Sequence, residues 1–212
     1  MRHFSIPAVI AASVVATAPA CGVADPPSVQ QAAALGEKAG SALFEKNARP
    51  YGISMERWSE LLWRWIYQQP AEANPLLDNT GASCAIDQHG PVWFLASVIP
   101  GAPHFVGERS CTIPRHTALL VYFLEVSIDG VPQPDMLRFR FTSDDLFQIK
   151  GDLSLQTALD SCVTGGPQPA VSDGYSFMVK PLAPGEHTLV WHVKDTFGMT
   201  GDTTLTYHLT VQ

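Results

Sequence analysis

Between Ile53 and Tyr67 the apolar residues Met55, Trp58, Leu61, Leu62, Trp65 and Ile66 recur three and four apart, the spacing of one face of an α-helix. Ser54 stands where its hydroxyl can cap the first turn, Ile53 can staple onto Trp58, and Pro70 stops the helix. Trp63 and Tyr67 fall off that face, one turn apart. Two such amphipathic rings can stack on a sugar or sit at a membrane interface; the competing reading is that they cover a second sheet surface.

Beyond Val92 the period changes to two. Val92 to Val98 and Thr117 to Val126 are continuous apolar runs suited to buried strands, whereas Met136 to Thr142 alternates Leu137, Phe139 and Phe141 with Arg138, Arg140 and Thr142. Tyr175, Phe177 and Val179 alternate likewise, as do Leu189, Trp191 and Val193, then Leu205, Tyr207, Leu209 and Val211. Asp129-Gly130, Pro184-Gly185 and the Gly198 to Gly201 stretch supply turns between them. Many short strands without intervening helices predict an all-β fold, an antiparallel β-sandwich preceded by an N-terminal amphipathic helix.

The first twenty residues follow neither period. Arg2 and His3 precede an uncharged, mostly apolar run from Phe4 to Ala20, shorter than the ~20 residues a bilayer crossing needs and shaped like a secretory signal. Thr17 to Gly22 resembles a lipobox, in which Cys21 would be lipidated and become the mature N-terminus; cleavage after Ala20 or Ala24 is the alternative. The division expected is a signal peptide over 1–20, a tether over 21–50 with a helical stretch between Ser28 and Lys46, and one helix-plus-sandwich domain over 51–212. Either cleavage route places the protein outside the cytoplasm, touching a membrane only through an N-terminal lipid.

Charge narrows the partners. The 13 Lys and Arg less Arg2 leave 12 against 20 Asp and Glu once the signal is removed, a surface that repels phosphate backbones and speaks against nucleic acid. The remaining composition, 46% hydrophobic and 16% charged, is that of a folded body.

Cys84, Cys111 and Cys162 remain after Cys21. Cys84 and Cys111 flank an apolar run and a Gly/Pro-rich loop, so a bridge closing that loop is the preferred pairing, worth about 3 to 4 kcal/mol by chain entropy. Cys162, beside Gly165-Gly166, is left as a loop thiol.

Candidate chemistry is sparse. Asp78-Asn79-Thr80-Gly81 is out of register for an aspartic-protease loop and has no second copy. No Gly-x-Ser-x-Gly elbow occurs. His187 and His192, five apart on a strand, point to opposite faces, and no metal or cofactor site is expected. What remains is a polar cluster around Cys84: Asp78 and Asn79 on one side, Asp87, Gln88 and His89 on the other, just before Gly90-Pro91. Such a cluster at the lip of a strand is where binding residues sit. A bend held by Gln88, with its donor and acceptor, is the structural alternative.

Two resemblances follow from these stretches. PLAPGEHTLVWHVKDTFGMTGDTTLTYHLTVQ, residues 181 to 212, resembles the last two strands of immunoglobulin-like and fibronectin type III-like sandwiches, through its corner at Leu182 to Gly185 and its turn at Asp195 to Gly198. From about Trp58 onward the chain resembles a family of uncharacterised secreted bacterial proteins, through NPLLDNTGASCAIDQHGPVWFLA (74 to 96), SCTIP (110 to 114), SIDGVP (127 to 132), SDGYSFMVKPLAPGEHT (172 to 188) and TYHLT (206 to 210). It departs from that family after Thr117, where an Asn and a cysteine-containing insert are missing. That family has no assigned activity, so the likeness implies architecture and compartment only. The function expected is a non-catalytic, envelope-anchored or secreted module binding a ligand or partner through Asp78, Asn79, Asp87 and His89. A secreted hydrolase with a site assembled from distant loops is the alternative.

Overall fold

The computed structural model describes residues 41–97, 105–122, 125–133, 135–143, 145–194 and 202–212. The signal peptide, Cys21, most of the tether and the Asp195 to Gly198 turn lie outside the described residues. Residues 41–46, expected in the tether's helix, run instead along a strand: Leu43 is buried and forms a bridge with Val179, and Phe44 N–H donates to the Met178 carbonyl at 2.9 Å.

Helix α1 spans Met55–Gln68, with the Ser54 hydroxyl accepting from the Arg57 N–H at 3.3 Å. It buries Met55, Trp58, Ser59, Leu62, Trp65 and Ile66. Trp58 donates its indole N–H to the Pro50 carbonyl at 3.1 Å and Trp65 to that of Ile86 at 2.7 Å, so each polar handle is satisfied where its ring is buried.

Eleven strands follow in the described chain. They are β1 (Val92–Leu95), β2 (Phe105–Ile113), β3 (Ala118–Tyr122), β4 (Glu125–Ile128), β5 (Val131–Pro132), β6 (Arg140–Thr142), β7 (Phe147–Lys150), β8 (Pro167–Ala170), β9 (Asp173–Val179), β10 (Gly185–Lys194) and β11 (Asp202–Val211), with a one-turn helix α2 (Leu155–Ala158) between β7 and β8. One sheet has the order β1-β3-β9-β6, a second β2-β11-β10-β4-β5, and β7 pairs with β8 in a separate ribbon. The chain is therefore mostly β, with two helices among the described residues.

The expected all-antiparallel pairing is corrected. β1 runs parallel to β3, with Val92 opposite Ala118, and β2 runs parallel to β11, with Arg109 opposite Tyr207. Parallel neighbours need a crossover. Here β2, lying in the other sheet, carries the chain from the end of β1 back to the start of β3. Ala118 to Val121 are accordingly all buried, as a strand covered on both faces requires. One hydrophobic cluster takes in α1 and both larger sheets.

Two other expected strands also differ. The run from Thr117 to Val126 is divided: Ala118–Tyr122 joins one sheet as β3, and residues 125–126 belong to β4 in the other. Met136–Phe139 is a 3-10 turn, and only Arg140–Thr142 is extended. Met136 and Phe139, three apart, are buried, while Leu137 is 69% exposed. A three-residue turn satisfies that burial; an alternating strand would have buried Leu137.

Candidate functional site

The polar cluster lies in the loop from Asp78 to Pro91, which enters β1. Asp78 spends both carboxylate oxygens on its own turn. Oδ1 accepts from the Thr80 N–H at 2.8 Å and the Thr80 hydroxyl at 2.7 Å, and Oδ2 accepts from the Ser83 N–H at 2.8 Å. Partial burial pushes its acidity down, but the Ser83 and Thr80 donors, with the positive charge of Arg109, outweigh this and hold the carboxyl below its usual range. Gly81, at φ +88°, lies so close to β2 that a Cβ would stand 2.4 Å from the Ser110 carbonyl oxygen. The Ser110 N–H meanwhile donates to the Thr80 carbonyl at 3.1 Å. Only glycine fits this turn against the strand.

The far half of the loop is held as firmly. Cys84 and Cys111 form a disulfide with Cα atoms 6.0 Å apart, tying the loop to β2. Gln88 donates from Nε2 to the Cys84 and Phe94 carbonyls at 2.9 and 2.8 Å and accepts at Oε1 from the Phe94 N–H at 3.0 Å. Asp87, at φ 46°, accepts from Nε2 of the buried Gln69 at the end of α1, at 3.3 Å. Asn79 and His89 are exposed. Among the four candidates, Asp78 is held by its own turn, while Asp87, Asn79 and His89 are all exposed, Asp87 with one bond back to Gln69.

The aromatic pair covers a surface. Trp63 packs edge-on against Tyr122 of β3 with ring centroids 5.3 Å apart, and Tyr67 lies 6.3 Å from Trp63. The Tyr67 hydroxyl donates to Asp160 at 3.1 Å, and burial with the Asp160 charge pushes its pKa up to about 12. Both rings are half-buried. Cys162 is exposed and unbridged, its N–H donating to Asp160 at 2.9 Å. A shallow open cleft of about 440 Å³ lies beyond the end of α1, lined by Gln68, Lys150, Gly151, Asp152, Leu153 and Gly165. None of the sequence candidates lines it. Among the described residues, no three His, Cys, Asp or Glu side chains converge as a metal site would require.

Sequence reasoning passed over two groups. His187 places Nδ1 at 2.7 Å from an Asp129 oxygen and Nε2 at 2.8 Å from the Ala183 carbonyl. Arg109, on β2 beside the loop, is 1% exposed. Its signal was in the phase of the strand: Arg109, Cys111 and Ile113 share one parity, opposite to Glu108, Ser110 and Thr112, and the first set is buried.

No family model and no curated protein matches the chain. It is similar to a chain in the solved "Structure of PbICP-C in complex with falcipain-2", at 18% identity over 58% of this chain and 100% of that one, with a TM-score of 0.30. A likeness of that size carries no argument about fold or function.

Proposed function

We propose that this protein is an extracytoplasmic, non-catalytic binding module. In this reading residues 1–20 are a signal peptide, Cys21 carries a lipid anchor, and the two larger sheets pack as an immunoglobulin-like β-sandwich with α1 against one face. The ligand or partner is gripped by the Asp78 to Pro91 loop. The observation that carries the proposal is the contrast within that loop: it is fixed by the disulfide, the Asp78 cap and the three Gln88 bonds, yet displays Asn79 and His89 to solvent. Side chains on a rigid exposed loop lose little freedom on binding. A disulfide of this kind persists in oxidising compartments, which supports export. Asp78 has both oxygens occupied by its own turn, a structural duty and not one of proton transfer.

The test sets wild type beside the Asn79→Ala/His89→Ala double variant on a glycan array and on purified peptidoglycan. The two proteins should melt together, since exposed side chains without structural duty cost under about 0.5 kcal/mol. One component should bind wild type roughly tenfold or more tightly than the variant and be recovered chemically unchanged. Equal binding by both proteins, or conversion of the component, would overturn the reading.

A further inference from the structure

The cleft beyond the end of α1 is walled by segments that hold one another in place. Lys150 ends β7 opposite Pro167 of β8, and the next residue, Gly151, is packed so closely that an added Cβ would lie 2.7 Å from Val163 and 3.5 Å from the Tyr67 ring. The Asp152 N–H donates to the Tyr67 carbonyl at 2.8 Å, which fastens this loop to the helix. Asp152 Oδ1 accepts from the Ser154 N–H at 2.9 Å and from the Ser154 hydroxyl at 2.6 Å. Gly165, at φ +73°, leaves room for the Leu153 side chain, because a Cβ there would meet Leu153 Cγ at 2.7 Å. The walls are therefore set before any ligand arrives.

Several groups on these walls are unused. Lys150 and Gln68 are exposed, and among the described residues neither side chain has a hydrogen-bond partner. Asp152 keeps Oδ2 unoccupied, and neither it nor Lys150 belongs to any ion pair among the described residues. Opposite charges two residues apart thus share one cleft without pairing. Leu153, which lines the same cleft, is 57% exposed and offers an apolar contact. The volume of about 440 Å³ falls toward the small end of ligand pockets, about 300 to 1,000 Å³. A ligand with one charge would leave either Lys150 or Asp152 unmatched; a small zwitterion with an apolar side chain matches both and covers Leu153.

We propose that this cleft binds a free aliphatic α-amino acid, with Lys150 taking its carboxylate, Asp152 its ammonium and Leu153 its side chain. The Gln68 amide, with a donor and an acceptor, can bond either end. Both charged contacts stay open to water, so each is weak and the affinity is roughly millimolar. The site is separate from the loop's proposed binding role, since no residue from Asp78 to Pro91 lines it.

Titrating isotope-labelled wild-type protein with L-leucine, followed through its backbone amide NMR shifts, tests the proposal. Expected are saturable shifts centred on Gly151, Leu153 and Gly165, with Kd of roughly 1 mM. Leucine amide lacks the carboxylate and N-acetyl-leucine lacks the ammonium; each should bind about tenfold more weakly than leucine. Two variants separate the two ends of the ligand. Lys150→Met should bind leucine no better than leucine amide. Asp152→Asn keeps Oδ1 for Ser154, and with it the turn, yet should bind leucine no better than N-acetyl-leucine. Shifts that never saturate, saturable shifts confined to the Asp78 to Pro91 loop, or equal binding of all three compounds by wild type overturn the proposal whatever the variants do.

Discussion

Two tight turns in this molecule end on a glycine of positive φ and are clasped by an aspartate, Asp78 to Gly81 and Asp129-Gly130. The donors they hold differ. Asp78 accepts two backbone N–H groups and a hydroxyl, none of which titrates in water's ordinary range. Asp129 accepts one such permanent donor, the Thr188 N–H at 2.8 Å on Oδ1, while its Oδ2 faces the His187 imidazole. A carboxylate with permanent donors locks its turn at every pH at which it is ionised; one that shares its donor with a proton equilibrium grips in proportion to that proton's occupancy. The first loop adds a covalent tie to β2. The second depends on the strand pairing of β4, β5 and β10 around it.

Removing the covalent tie is the harshest way to test the contrast. Cys84→Ala/Cys111→Ala should lower the urea unfolding free energy by about 3 to 4 kcal/mol, since the bridge closes a long loop in the unfolded chain. The His187 turn should keep its pH response in that variant if it still folds. A loss below about 1 kcal/mol would mean that side-chain bonds alone hold the Asp78 to Pro91 loop.

Next in size is Gln88→Ala. Truncation strands the Cys84 and Phe94 carbonyls and the Phe94 N–H, and should cost about 1 to 3 kcal/mol by the same urea measurement. Gln88→Glu keeps an acceptor for the Phe94 N–H but loses both donations and so should not restore stability. An Ala variant as stable as wild type would show that water replaces all three bonds.

The loop's architecture was more legible than its allegiances. Gln88 could be read as a bend-holder because its amide has a donor and an acceptor, and the Cys84 to Cys111 pairing followed from the run they enclose. The cap of α1 by Ser54 was likewise local. Strand pairing was not: nothing in the period of Val92 to Leu95 says that its neighbour runs parallel, because register between distant strands leaves no trace in either strand alone. For the same reason the bond from Gln69 to Asp87 was not legible, its partners being eighteen residues apart on different elements. Arg109 was hidden by its chemistry, since a charged residue on an edge strand is read as outward unless its parity with Cys111 and Ile113 is followed.

A smaller effect should follow from Asp78→Ala, about 1 to 2 kcal/mol, because the N–H groups of Thr80 and Ser83 lose their acceptor in a half-buried turn. Its pH dependence gives the sign. The folded carboxyl is held below the unfolded value of 3.8, so its contribution is present above 3.8 and disappears as pH falls through the folded value. Wild type and Asp78→Ala should therefore converge in stability in strong acid and separate by pH 5. A constant gap across that range would assign the loss to packing instead.

The smallest effect separates the two turns most sharply. His187 meets an acceptor at each ring nitrogen, Asp129 Oδ2 and the Ala183 carbonyl, and only the imidazolium carries an N–H at both. Burial pushes its pKa down, but the Asp129 bond, the Ala183 bond and the charges of Asp129 and Glu186 outweigh that and raise it above the ordinary 6.5. Raised folded affinity for a proton means a stabilisation complete below 6.5 and lost as pH climbs through the folded value, the reverse of the Asp78 case. Because Asp129 is 46% exposed, solvent limits the pair to about 1 kcal/mol or less. His187→Gln cannot titrate, so its deficit against wild type should be measurable at pH 6 and shrink by pH 9. A deficit that instead grows with pH would mean that the neutral ring makes the better contact, and the clasp would then be sterically rather than electrostatically held.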